Sequence, residues 1–262
     1  MTREAVLFDL FDTLVLFDRS RLPEVHANGK TMRSTAGHLH QAFRPFAPGL
    51  ELDDFVSSLF WSWQEAERIR GETHREVTAQ ERFGMMFGRL GLDHAALPRE
   101  ALEVLLATHK RELSRAIVFP EHHRDLLREL KRSHRLAVVS NFDYTPTARL
   151  VLEREGVADL FDTVIVSDEV GWRKPKAVIF ELALRRLGVR PEQALMVGDR
   201  ADIDVAGAQA VGMAAAWINR DGGPLPDGAP APEFEIRDLA EGGQAPLGAR
   251  CGIHQQRPRP GR

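Results

Sequence analysis

The chain has a single cysteine, Cys251, among 262 residues, so neither an internal disulfide nor a cysteine-built metal cluster can form. No run of about 18 apolar residues occurs, which leaves no candidate transmembrane helix. The opening MTREAVLFDLF lacks the small-residue cleavage pattern of a secretory leader, and a cytoplasmic, unanchored protein is expected. A basic surplus is also missing: 35 Lys and Arg stand against 38 Asp and Glu for a net charge of −3, which argues against nucleic acid as a partner. The 10 histidines show no H-E-x-x-H or comparable spacing, so a histidine metal site is disfavoured. No internal repeat is present. What remains is an ordinary globular composition, 43% hydrophobic, long enough for one large domain or a core with an appendage.

Short apolar runs at 5–9 (AVLFD), 136–140 (LAVVS), 163–167 (TVIVS), 194–198 (ALMVG) and 213–217 (MAAAW) read as strands buried on both faces of a parallel sheet. Helical patterns lie between them. One covers 121–132 after Pro120, with Leu126, Leu127 and Leu130 on one face; a second follows Thr145 as N-cap and stops at Gly156. A third runs from Pro175 to Leu187, with Val178, Ile179, Leu182 and Ala183 inward and Gly188 as its stop. The alternation predicts an α/β fold, a Rossmann-like parallel sheet flanked by helices.

Residues 17–115 show helical spacing and no comparable strand. Asp53 or Asp54 can cap a helix carrying Phe55, Leu59, Trp63 and Ala66; Thr78-Ala-Gln-Glu81 reads as a capping box; Pro98 opens a helix with Leu102, Leu105 and Leu106. A helical-bundle cap domain inserted into the core is expected, with 1–16 and 116–240 as the core. The stretch EFEIRDL reads as a short edge strand, and 241–262 as a disordered tail.

In an open parallel sheet, ligands bind beyond the carboxyl ends of the strands. Those ends carry Asp9-Leu-Phe-Asp12-Thr13, Ser140-Asn141 and Gly198-Asp199-Arg-Ala-Asp202-Ile-Asp204, and Lys174 opens the helix after the third strand. One such residue alone is usually a turn or helix cap. Their concurrence points to a shared site.

FDLFDTL, VVSN, the lysine of GWRKP and VGDRADIDVAGA resemble, in order, the four motifs of the haloacid dehalogenase superfamily, across residues 4–16 and about 118–220. The resemblance implies that Asp9 is a covalent nucleophile and that Ser140, with the following backbone amide at Asn141, holds a phosphate or carboxylate. It implies that Lys174 neutralises substrate and nucleophile, and that Mg2+ is held by Asp9, Asp199 and a backbone carbonyl, that of Phe11. Asp204 is expected as an additional ligand, as a partner orienting Lys174, or as a charge at the start of the next helix. Thr13 is a phosphate-side or motif-bracing hydroxyl, and Asp12 and Asp202 are expected in solvated or capping roles.

Position 11 departs from the family's phosphatases, which carry a second Asp there as general acid and base; Phe11 cannot move a proton. The founding dehalogenases also have an aromatic residue at that position. They lack the metal-binding acids, however, whereas Asp199 is retained here, and their tyrosine six residues after the lysine is Phe180 here. A Mg2+-dependent phosphatase for a small phosphorylated metabolite is favoured over a 2-haloacid dehalogenase, with a catalytically weak ligand-binding member as a third reading. The inserted helices resemble the superfamily's small cap, with Arg21, Arg33, His38, His40, Trp61, Trp63, Arg68 and Arg70 as possible contacts to an anionic substrate. Arg33, Arg70, Asn141 and Phe11 are taken as substrate-binding, and Asp143 as capping the helix after Tyr144, with contact to the cap as the lesser alternative. Monomer and homodimer are left equally open.

Overall fold

The computed structural model of the protein describes residues 3–93 and 95–243. The chain starts with β1 (Ala5–Phe8) and β2 (Leu16–Phe17), then a hairpin of β3 (Glu24–Ala27) and β4 (Lys30–Arg33). Four helices follow: α1 (Ala36–Phe43), α2 (Leu52–Thr73), α3 (Ala79–Arg89) and α4 (Arg99–Arg115). After β5 (Ile117–Val118), strand and helix alternate through α5 (Glu121–Lys131), β6 (Arg135–Ser140), α6 (Thr145–Arg154), β7 (Thr163–Val166), α7 (Ser167–Val170), α8 (Ala177–Leu187) and β8 (Ala194–Gly198). A π-helical turn at Ala201–Val205 leads into α9 (Ala206–Ala210), β9 (Ala214–Ile218), β10 (Phe234–Ile236) and a 3-10 turn at Leu239–Gly243. The rest of the segment expected as a tail, Cys251 included, lies outside the described residues.

The main sheet has six strands in the order β10-β9-β8-β1-β6-β7, parallel throughout. All four residues of β1 are buried, because helices cover both faces. Val6 and Phe8 join the cluster under α5 and α6 with Leu127 and Val151; Ala5 and Leu7 join the opposite cluster with Ile179, Phe180 and Val205. The chain runs from β1 outward through β6 and β7, then returns to the other side for β8, β9 and β10. The crevice where the winding reverses therefore lies at the carboxyl end of β1.

The helices of the insertion share a separate apolar cluster that includes Leu39, Phe43, Phe55, Phe83, Phe87 and Leu105. The capping box at α3 is formed in both directions: Thr78 Oγ1 accepts from Glu81 N at 3.1 Å and Glu81 Oε2 accepts from Thr78 N at 2.9 Å. The two-residue ladder of β2 with β5 holds together the chain segments entering and leaving the insertion.

Several local expectations are corrected. Residues 17–115 are not free of strand: the β3–β4 hairpin turns at Asn28 and Gly29, both at positive φ (52° and 69°). That is the Asn-Gly signature of a tight hairpin turn, whose twist matches the flanking strands. The N-cap of α2 is Glu51, not Asp53 or Asp54; Asp53 instead accepts the Asn28 main-chain N–H at 2.9 Å. Helix α6 is capped one residue earlier than expected, at Tyr144. Trp63 is 52% exposed and Val178 is 36% exposed, so neither is a core residue of its helix.

Candidate active site

Asp9 is held at the end of β1 by its main-chain N–H, which donates to Val197 O of β8 at 2.9 Å. Beside it the Lys174 ammonium is buried, 2.6 Å from Asp9 Oδ1 and 2.7 Å from Asp204 Oδ1. Carboxylate oxygens of Asp9, Asp199 and Asp204 lie within 4.8 Å of one another. The strand order explains this convergence, since β8 and β6 flank β1. Gly198, at the end of β8, is required locally: a Cβ there would fall 2.2 Å from Asp204 Oδ2. Only glycine lets that carboxylate lie against the strand end, where Oδ2 accepts from Arg200 N at 3.0 Å. Trp217 Nε1 donates to Asp199 O at 2.8 Å and fixes the neighbouring main chain.

Three carboxylates facing one ammonium are an electrostatic imbalance. Burial, reinforced by Asp204 and Asp199, pushes Asp9 up to about 7 against the opposing pull of Lys174. Asp199 is pushed up to about 6 by burial and then by Asp204 and Asp12. Burial alone would lower the Lys174 ammonium, but Asp204 and Asp9 outweigh it and its pKa is raised. The donor set is all oxygen and carries surplus negative charge in a small volume. It fits a hard divalent cation such as Mg2+, which would offset that charge. Two hydroxyls at the same strand ends, Ser140 Oγ and Thr13 Oγ1, are buried with no hydrogen-bond partner among the described residues. They suit the oxygens of an anionic substrate.

Other residues around these strand ends make local contacts. Asn141 uses its side chain on Lys174: Nδ2 donates to Lys174 O at 3.0 Å and Oδ1 accepts from Lys174 N at 2.7 Å. The side chain clamps the main chain of the lysine; the backbone amide expected to hold substrate is a separate group. Phe11 packs against Phe142 with ring centroids 4.5 Å apart and the rings tilted by 37°. Asp12 accepts from Phe17 N at 3.3 Å and Asp202 pairs with Arg200 at 2.7 Å, both in local roles. Phe180 is fully buried, and a Cβ on Gly207 would meet its ring at 2.4 Å; it is a packing residue.

A cleft of about 520 Å3 opens between the inserted helices and the strand ends, lined among others by Arg33, Trp63, Arg82, His109, Asn141 and Phe142. Arg70 also lines it, but its guanidinium donates to Glu76 at 2.9 Å, Glu67 at 2.5 Å and Val77 O at 2.6 Å. It is a brace, and its expected substrate contact is not favoured. Arg33 spends one nitrogen on Leu22 O and another on Glu24 while remaining half-exposed at the cleft. Of the other cap candidates, Arg21 pairs with Asp18, His38 with Glu112, and Arg68 with Glu65 and Glu72. His40 contacts Leu50 O, and Trp61 lies under Arg89.

Arg82 and His109, at the floor of the cleft, were not among the expected site residues. Arg82 Nε donates to Asp143 Oδ2 at 3.1 Å, and Arg82 Nη2 lies 3.2 Å from His109 Nε2. Asp143 therefore joins core to insertion, while Asp168 receives the Thr145 N–H at 2.8 Å that Asp143 was expected to take. Burial would raise the Asp143 carboxyl, but Arg82, His109 and Arg70 outweigh it and hold it low. Buried Glu76 makes a second bridge, accepting from Arg173 at 2.7 Å and from Ser167 Oγ. The available signal was Arg82 itself, a charged residue on the face of α3 that also buries Ala79, Phe83 and Met86.

His109 gives this floor a measurable pH dependence. Burial, then the charge of Arg82, holds its ring down at about 4 against the ordinary 6.5. Between those values the unfolded chain binds the proton that the folded chain refuses, so stability is full above pH 6.5 and falls as pH drops toward 4. The expected loss between pH 7 and pH 5 is about 2 kcal/mol. Denaturant titrations at the two pH values measure it. His109→Gln should remove that part of the slope, and an unchanged slope in the variant would contradict the assignment.

The family model for haloacid dehalogenase-like hydrolases matches residues 4–212. The glyceraldehyde 3-phosphate phosphatase of Methanopyrus kandleri is 31% identical over 239 residues, covering 89% of this chain and 92% of that protein. The crystal structure of a HAD phosphatase from Thermococcus onnurineus matches with a TM-score of 0.58 at 28% identity, over 91% of this chain and 95% of that one. A 2-haloacid dehalogenase from Pseudomonas syringae pv. Tomato shares the fold with a TM-score of 0.61 at 24% identity, over 92% and 96% of the two chains. Among the described residues no helix is long and apolar enough to cross a membrane. With its ordered motifs converging at the carboxyl end of β1, the chain belongs to the haloacid dehalogenase-like hydrolases.

Proposed function

We propose that this protein is a Mg2+-dependent phosphatase acting on a small phosphorylated metabolite, with Asp9 as nucleophile and residues 17–115 as the cap over the site. The observation that carries the reading is Asp9 at the end of β1, 2.6 Å from the Lys174 ammonium and grouped with Asp199 and Asp204. A lone anionic nucleophile would repel an anionic substrate; a cation beside it keeps it ionised and offsets the repulsion. Asp9 attacks phosphorus in line, the bond to the ester oxygen breaks, and the leaving oxygen takes a proton from solvent or an acid outside position 11. Water then attacks the aspartyl-phosphate, releasing inorganic phosphate and restoring Asp9. Ser140 Oγ and Thr13 Oγ1 donate to the phosphoryl oxygens, which would give these hydroxyls the partners they lack within the protein. Asp9, Asp199, Asp204 and the Phe11 carbonyl would hold Mg2+, which supplies positive charge against the phosphoryl group when bound.

The cleft volume lies within the range of small-molecule sites, and half-exposed Arg33 at its edge suits an anion. The phosphatase name of the Methanopyrus relative supports the same substrate class. Phe11 favours the second reading, 2-haloacid dehalogenation, in which Asp9 attacks carbon and displaces halide. Retained Asp199 and the buried apolar setting of Phe180 weigh against it. Assays with p-nitrophenyl phosphate and chloroacetate, each with Mg2+ and with EDTA, separate the readings. Phosphate release abolished by EDTA, with no chloride release, is expected. Chloride release that survives EDTA would replace the phosphatase with a dehalogenase. Stabilisation by a phosphate mimic with neither activity would leave a ligand-binding protein.

A further inference from the structure

The first turn of α5 and the segment after β10 meet through three side chains that the chemistry above does not use. His122 Nε2 lies 2.8 Å from Asp238 Oδ1, and the rings of His122 and His123 stand edge to face with centroids 4.5 Å apart. His123 is fully buried. Its Nδ1 is 2.9 Å from the main-chain carbonyl oxygen of Leu14. A carbonyl oxygen can only accept, so Nδ1 carries the proton and Nε2 keeps a free lone pair. That Nε2 is buried and has no hydrogen-bond partner among the described residues. One ligand atom from each of His123, His122 and Asp238 lies within 4.8 Å of the others.

We propose that His122, His123 and Asp238 form a second metal site, separate from the three-carboxylate group, for a borderline transition-metal ion such as Zn2+. Two imidazole nitrogens and one carboxylate oxygen match the preferences of Zn2+ and Co2+, whereas Mg2+ prefers an all-oxygen set. An imidazole whose Nδ1–H rests on a backbone carbonyl is the arrangement that fixes the tautomer of metal-binding histidines. His122 and Asp238 are 49% and 34% exposed and give an ion access from solvent. Arg220 approaches the other carboxylate oxygen, Oδ2, at 3.4 Å, while Oδ1 accepts from Ala240 N at 2.8 Å and an ion would take over its contact with His122. The site also touches the loop that follows Asp9: His123 holds Leu14 O, and Arg220 Nη2 donates to Asp12 O at 3.1 Å. A bound ion would brace that loop.

Asp238 comes from 116 residues beyond His122, so no local histidine spacing marks this group. The test is a Co2+ titration of the chelator-stripped full chain with Mg2+ in excess, read by visible absorption. One equivalent of Co2+ with intense ligand-field bands, displaced by Zn2+, is expected. His122→Ala should weaken binding by more than the roughly 10- to 100-fold that loss of a mere outer partner costs. Asp238→Asn should do the same while retaining an oxygen for the Ala240 N–H that the carboxylate now accepts. Both variants should keep the metal-free far-ultraviolet circular dichroism of the parent. Cys251→Ser combined with His254→Ala should leave the bands unchanged. Absence of stoichiometric uptake, bands surviving His122→Ala, or bands lost in the Cys251/His254 variant would overturn the proposal.

Discussion

Asp9→Asn is expected to lower turnover on the order of 10⁵-fold, the scale at which removing a covalent nucleophile acts in hydrolases. The substitution keeps the side-chain volume and removes the attacking charge. It should not unfold the protein. Lys174 retains Asp204 at 2.7 Å, and one of three mutually repelling carboxylates is neutralised. Because burial and its neighbours already push Asp9 up to about 7, the folded chain holds this charge at a cost. The variant is therefore expected to be at least as stable as the parent above neutral pH. Inactivity with an undiminished Tm would reflect chemistry sacrificed without loss of fold. Intact-mass analysis during turnover supplies a second readout: a phosphoryl adduct on the parent and none on the variant. Asp9 is also proposed to hold Mg2+, so both assays should be run across a wide Mg2+ range. Restoration of turnover by excess metal would reduce Asp9 to a ligand and remove it as nucleophile.

The residues of this prediction were legible in the chain because each directly follows an apolar run or opens a helix. Asp9, Ser140 and Asp199 terminate strands that lie side by side in the sheet, so a local pattern and one rule about parallel sheets bring them together. Lys174 and Asp204 follow from the same motifs, although Asp204 needed the structure to show it paired with the lysine. The cleft was not legible in the same way. Asp143 meets Arg82 across 61 residues and Arg82 meets His109 across 27, separations over which no periodicity carries information. Arg70 drew attention as a cap arginine, yet its surroundings turn it inward onto Glu76. The hairpin at Asn28-Gly29 was present as a turn signal but was outweighed by the helical spacing around it.

Phe11→Asp is the second large effect, in the opposite direction. A carboxylic acid placed two residues after the nucleophile can protonate a departing alkoxide, a contribution of roughly 10²–10⁴-fold, or about 3 to 5 kcal/mol of barrier. The cost is the ring contact with Phe142 at 4.5 Å, about 1 kcal/mol, together with the apolar burial that the ring now has against the core. The gain should depend on the leaving group. An alkyl phosphate, whose alkoxide needs the proton, is expected to react faster by the full factor, while p-nitrophenyl phosphate, whose phenolate leaves unaided, should change by less than about tenfold. The dependence of log kcat/KM on leaving-group pKa should accordingly flatten. An equal change for both esters, or no change in a variant whose Tm stays near that of the parent, would show that the proton already comes from another group and that position 11 does not limit the reaction.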